Sequence, residues 1–87
     1  MTPPVALRIR FSSVTRAFEL FHLFPPDLDY LDGCSAKRDG DSKVMRLYLS
    51  APERLEDFVD LCASHPDVVE VRPITEEEFC RAPSNAI

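Results

Sequence analysis

Two stretches of this chain, about 38 residues apart, carry the same pattern. Val5-Ala6-Leu7-Arg8-Ile9-Arg10-Phe11-Ser12 aligns with Lys43-Val44-Met45-Arg46-Leu47-Tyr48-Leu49-Ser50. Leu7, Ile9 and Phe11 fall on Met45, Leu47 and Leu49, while Arg8 falls on Arg46, Ser12 on Ser50 and Arg16 on Arg54. Each half reads as an alternating strand, a serine turn, an amphipathic helix and a second short strand. Such a repeat restricts the fold far more than it restricts the function.

The first strand is expected over Val5–Phe11, where apolar Val5, Leu7, Ile9 and Phe11 alternate with Ala6, Arg8 and Arg10. Ser12 or Ser13 can cap the helix that follows. Its stripe is expected to be Val14, Ala17, Phe18, Phe21 and Phe24, widened by Leu20 and Leu23 and stopped by Pro25-Pro26. A second strand, roughly Leu28 to Lys37, contains Asp29, Asp32 and Gly33 and reads as an edge strand. The hairpin turn is placed at Asp39-Gly40-Asp41. A three-residue loop there would pair Leu31 with Leu49 and Gly33 with Leu47, keeping Asp32 off the core face. Lys43–Leu49 forms the third strand. Ser50-Ala51-Pro52-Glu53 opens the second helix as a capping box, with a stripe of Leu55, Phe58, Val59 and Cys62. Val68–Ile74 is the fourth strand, and Thr75-Glu76-Glu77-Glu78 starts a short helical turn through Phe79 and Cys80.

The expected fold is therefore α+β: a ferredoxin-like βαββαβ sandwich, with a four-stranded antiparallel sheet of order 4-1-3-2 and two helices on one face. A single domain should span residues 5–75, after a disordered stretch 1–4 and before a C-terminal tail 76–87 that ends in mobile residues. At 87 residues the core is small, burying only about 60% of the surface the unfolded chain exposes.

With both helices on one side, the other sheet face should be open. Alternation places Arg8 and Arg10, then Tyr30, Asp32 and Cys34, then Val44, Arg46 and Tyr48, and finally Glu70 and Arg72 on that face. It would gather four of the eight arginines and both tyrosines of a chain whose net charge is −5. Arg8, Arg10, Tyr30, Arg46, Tyr48 and Arg72 thus form the candidate interaction face, since arginine and tyrosine are enriched at interface hot spots. Cross-strand ion pairing is the plainer reading of the same residues. The acidic balance argues against nucleic acid as the partner, and no apolar run approaches membrane-spanning length.

Other chemistries find little support. Cys34, Cys62 and Cys80 form no C-x-x-C pair, and His22 and His65 lack metal-ligand spacing, so no metal or cofactor is expected. The odd, widely spaced thiols suit a reducing cytoplasm, and Met1-Thr2-Pro3-Pro4 has no secretory-leader character. No glycine lies between Val5 and Leu31, which excludes a glycine-loop phosphate cradle after the first strand. His22 is the one candidate for a polar group within a core stripe.

The succession Val5–Phe11, Ser12-Ser13, Val14–Phe24, a hairpin at Asp39-Gly40, Val44–Leu49, Pro52–Ala63 and Val68–Pro73 resembles an ACT-type regulatory domain. The resemblance implies a ligand-sensing or oligomerising module paired through sheet edges or helices, with an effector at the turn after the first strand, here Ser12 and Ser13. Together these features suggest a non-enzymatic regulatory or protein-interaction module, a homodimer or accessory subunit, with a protein partner and an ACT-like small-molecule effector. The alternatives are a small dimeric ferredoxin-like enzyme with a helix–sheet pocket, and an acidic inhibitor.

Overall fold

The computed structural model describes residues 3–23 and 28–83. Strand β1 (Val5–Phe11) is followed by helix α1 (Val14–Glu19), strands β2 (Leu31–Asp39) and β3 (Ser42–Leu49), helix α2 (Leu55–Ala63), strand β4 (Val68–Ile74) and helix α3 (Glu76–Arg81). The sheet is antiparallel throughout, and its order is β2-β3-β1-β4, or β4-β1-β3-β2 read from the opposite edge. No described helix is long and apolar enough to cross a membrane.

The strongly alternating segments behave as their patterns dictate. In β1, Leu7, Ile9 and Phe11 are fully buried beneath the helices, joined by Met45, Leu47 and Leu49 of β3. Phe58 and Cys62 of α2 close this core from above, with Leu55 and Val59 packed at its margin. The expected stripe of α2 is therefore the buried one. Its start differs: Pro52–Arg54 forms a separate 3-10 turn with no side-chain cap. The backbone N–H of Ser50 instead donates to Tyr30 O at 3.0 Å, tying the loop to the end of the preceding connection.

Helix α1 is a shorter element than its apolar run suggests. Ser13 caps it, its hydroxyl accepting from the Arg16 N–H at 3.1 Å. The α-helix ends at Glu19, and a turn follows in which Leu23 N–H donates to Leu20 O at 3.0 Å. Among the described residues of the expected stripe only Ala17 is fully buried. Val14 and Phe18 are 54% and 58% exposed. The buried line runs through Ala17 and Leu20, because the smallest residue of the helix is the one that lets it lie close against the sheet. Phe24 and Pro25-Pro26, expected to complete and stop this helix, lie outside the described residues.

The β2–β3 hairpin also departs from its expected register. The connection is two residues, Gly40-Asp41, with Asp39 opposite Ser42. Gly40 has φ 61°, and no non-glycine residue among the described ones has positive φ, the signature of a type II′ turn. Cys34, not Gly33, therefore lies opposite Leu47, and Gly33 lies opposite Tyr48. A register shift between Leu31 and Gly33 then returns Leu31 to Leu49. The extra residue is absorbed at Asp32, which stays exposed, so the shift keeps a carboxylate out of the core.

The largest difference lies on the second sheet face. It is open only in part, because α3 folds back across Ala6 and Val44 while Arg10, Tyr48, Glu70 and Arg72 stay exposed. Ala6, Val44, Phe79 and Ala82 form a second buried cluster there, with Ile74 packed at its edge. The Thr75 hydroxyl caps α3, accepting from the Glu78 N–H at 3.1 Å. Apart from Arg46 and Tyr48, every residue of β3 is buried, since that strand has cover on both sides.

Candidate functional site

The residues expected to make an open interaction face divide between two environments. Arg8, Arg10, Arg46, Tyr48 and Arg72 do share the sheet face opposite α1 and α2. Tyr30 does not. It is 7% exposed and belongs to the main core, with the Arg54 guanidinium 4.5 Å from its ring centre. The one-residue change in β2 register likewise puts Cys34 across from Leu47 on the helix side, and brings Ser35, Lys37 and Asp39 onto the arginine face beside Arg46, Val44 and Ser42. No sequence pattern in β2 announces that exchange.

On this face the arginines meet carboxylates from their own chain. Arg8 Nη2 lies 3.1 Å from Asp39 Oδ2, reaching across β3. Arg10 Nε is 3.7 Å from Glu70, and Arg72 bridges Glu70 at 3.9 Å and Glu78 at 3.8 Å. Arg46 pairs with Glu76, a hydrogen bond that holds its guanidinium above the ordinary range. The pairs of Arg10 and Arg72 are nearly half exposed, and each contributes about 0–1 kcal/mol.

Lys37 makes the most specific contact of the face. Its Nζ donates to Phe79 O at 2.8 Å and reaches Cys80 O and Ala82 O at 3.4 Å. These carbonyls belong to the end of α3, where the helix dipole favours a cation, and Phe79 O accepts from the Ala82 N–H as well. The same ammonium lies 4.6 Å from the Phe79 ring centre, and the Arg46 guanidinium lies 4.8 Å from it. Phe79 thus sits between two cations above Ala6 and Val44. The Nε atoms of Arg8 and Arg46 are buried without a hydrogen-bond partner.

Ser12 and Ser13, where the ACT resemblance implies an effector, already hold the framework. The Ser13 hydroxyl caps α1, and the Ser12 N–H donates to Asp67 O at 2.8 Å, joining the end of β1 to the approach to β4. His22 is exposed and meets Phe21 edge-on, with ring centres 5.2 Å apart. His65 accepts from the Asp67 N–H through Nδ1 at 3.1 Å. The three cysteines are free thiols, and no cluster of three or more His, Cys, Asp or Glu residues suited to a metal occurs among the described residues.

The polar group inside the core is Lys43, which was not among the expected site residues. It is 2% exposed, its Nζ donates to Phe21 O, and the Phe21 ring centre is 4.8 Å away. Desolvation lowers its pKa from 10.5 to about 8, opposed by the neighbouring Cys34 and Cys62 thiols. Burial pushes the Cys62 thiol from 9.0 up to about 12, against the smaller effect of Lys43. The signal was present, because strict alternation from Met45, Leu47 and Leu49 puts Lys43 on the core face. At neutral pH the ammonium is a buried cation held by a carbonyl and a ring, beneath the turn that follows α1.

No protein-family model, curated protein or solved structure matches the chain.

Proposed function

We propose that this chain is a non-enzymatic association module of ferredoxin-like arrangement that forms a homodimer through the α1–β2 side of the molecule. The exposed Phe18 carries this reading. It stands 58% exposed on α1 while its neighbour Ala17 is fully buried, and Arg38 of the β2 edge lies 5.5 Å from its ring centre. A large aromatic half out of water beside an unpaired strand edge supplies an anchor and a template together. Val14, 54% exposed one turn earlier, extends the apolar surface. The opposite edge is less suited to pairing, since β4 carries Pro73, which has no N–H to donate. The three free thiols fit a cytoplasmic setting.

The ACT-like variant of this reading adds an amino-acid effector at Ser12 and Ser13. Such a ligand would have to share the Ser13 hydroxyl with the Arg16 N–H. Sedimentation equilibrium tests the dimer: wild type should have twice the chain mass at micromolar concentration, and Phe18→Asp should be monomeric with an unchanged far-UV spectrum. A wild type that stays monomeric at all concentrations overturns the proposal.

A further inference from the structure

The sheet face beneath α3 has the features of a binding site whose occupant is part of the same chain. Its cations are set by strand register: Lys37 on β2, Arg46 on β3 and Arg72 on β4. Its floor is apolar, made by Ala6 and Val44. α3 complements each part. Glu76 meets Arg46, Glu78 meets Arg72, Phe79 covers the floor, and the carbonyls of the last turn meet Lys37. The complementarity is local, since the chain as a whole is acidic at −5.

Three observations mark α3 as a replaceable occupant. Its six residues are too few to hold a helix unaided, so its structure depends on the face. Its anchor cluster shares no buried residue with the main core, so lifting α3 leaves that core packed. The buried Nε atoms of Arg8 and Arg46 are unpaired, so the face offers donors that α3 leaves unused.

We propose that this face is an exchangeable helix site for which α3 is the resident ligand, and that its other occupant is an acidic amphipathic helix of a partner protein, with carboxylates two residues apart followed directly by an aromatic. The partner helix would supply what Glu76, Glu78 and Phe79 supply in cis, together with acceptors for the arginine Nε groups. This surface lies on the sheet face opposite α1 and is independent of the dimer reading.

The test uses the full chain and a fluorescent peptide of the sequence 74–83, with serine in place of Cys80. Phe79→Ala should loosen the resident helix and bind the peptide about tenfold or more tightly than wild type, because the cis helix occupies the wild-type site. A peptide with alanine in place of Phe79 should not bind, and adding Arg46→Glu to the Phe79→Ala chain should abolish binding. A folded Phe79→Ala chain that ignores the peptide overturns the proposal, as does a concentration-dependent dimer made by exchange of α3 between copies. Should Phe79→Ala not fold, hydrogen exchange on wild type decides: Phe79 and Ala82 amides opening well before those of β1 and β3 support exchange, and opening only together with them overturns it.

Discussion

Lys43 shows how one buried residue sets a pH dependence for the whole fold. Its folded pKa, about 8, lies below the ordinary 10.5. Below pH 8 both folded and unfolded chains carry the proton, and the fold bears the full cost of the buried charge. Between pH 8 and 10.5 the unfolded chain holds a proton that the folded chain has lost, so stability rises with pH. Cys62 acts in the opposite sense. Its thiol keeps its proton up to about pH 12 when folded but loses it near 9 when unfolded, so it lowers stability over that range. At about 1.4 kcal/mol for each tenfold change in proton affinity, the Lys43 cost at neutral pH is about 3 kcal/mol. Lys43→Met should remove it, less about 1 kcal/mol for the lost hydrogen bond to Phe21 O. Urea denaturation should therefore find this variant about 2 kcal/mol more stable at pH 7, without the wild-type gain between pH 8 and 9. Gly40 is a second residue with a definite prediction. A Cβ there meets nothing within 4 Å, so Gly40→Ala should cost only the strain of φ 61°, about 1–2 kcal/mol, read as a lower urea midpoint at unchanged slope.

At the scale of elements, legibility followed the strength of the local pattern. β1 and β4 begin and end where alternation places them, and the stripe of α2 is the buried one. The register of β2 was not legible, because the turn could close over two residues or three and the shift at Asp32 absorbs the difference. α1 misleads for another reason. Its sequence has more apolar residues than one helix face against a sheet can bury, and close approach through Ala17 leaves Val14 and Phe18 outside. The start of α3 was visible in Thr75-Glu76-Glu77-Glu78, but its destination was not, since which surface Phe79 covers is set by tertiary packing alone. The structure accordingly gathers all four arginines and Tyr48 of the candidate face on one side of the sheet, covers part of that side with α3, and places Tyr30 in the core. The two helix caps should differ in consequence. Ser13→Ala and Thr75→Ala each remove a cap worth about 1 kcal/mol. Hydrogen exchange should show the Thr75→Ala effect confined to α3, whereas Ser13→Ala should act on α1, which helps cover the main core.

At the scale of the whole molecule, one face of the sheet is covered by α1 and α2, the other in part by α3, and both of its edges are free of strand partners among the described residues. The dimer proposed above would form at an edge. Pro73 disfavours the β4 edge, and Phe18 with Arg38 marks the other. A nuclear Overhauser experiment on a mixture of isotope-labelled and unlabelled chains tests this most directly. The dimer reading predicts contacts between copies along residues 34–38 of β2 and from the Phe18 ring. Contacts between copies along β4 instead, or none at millimolar concentration, would contradict it.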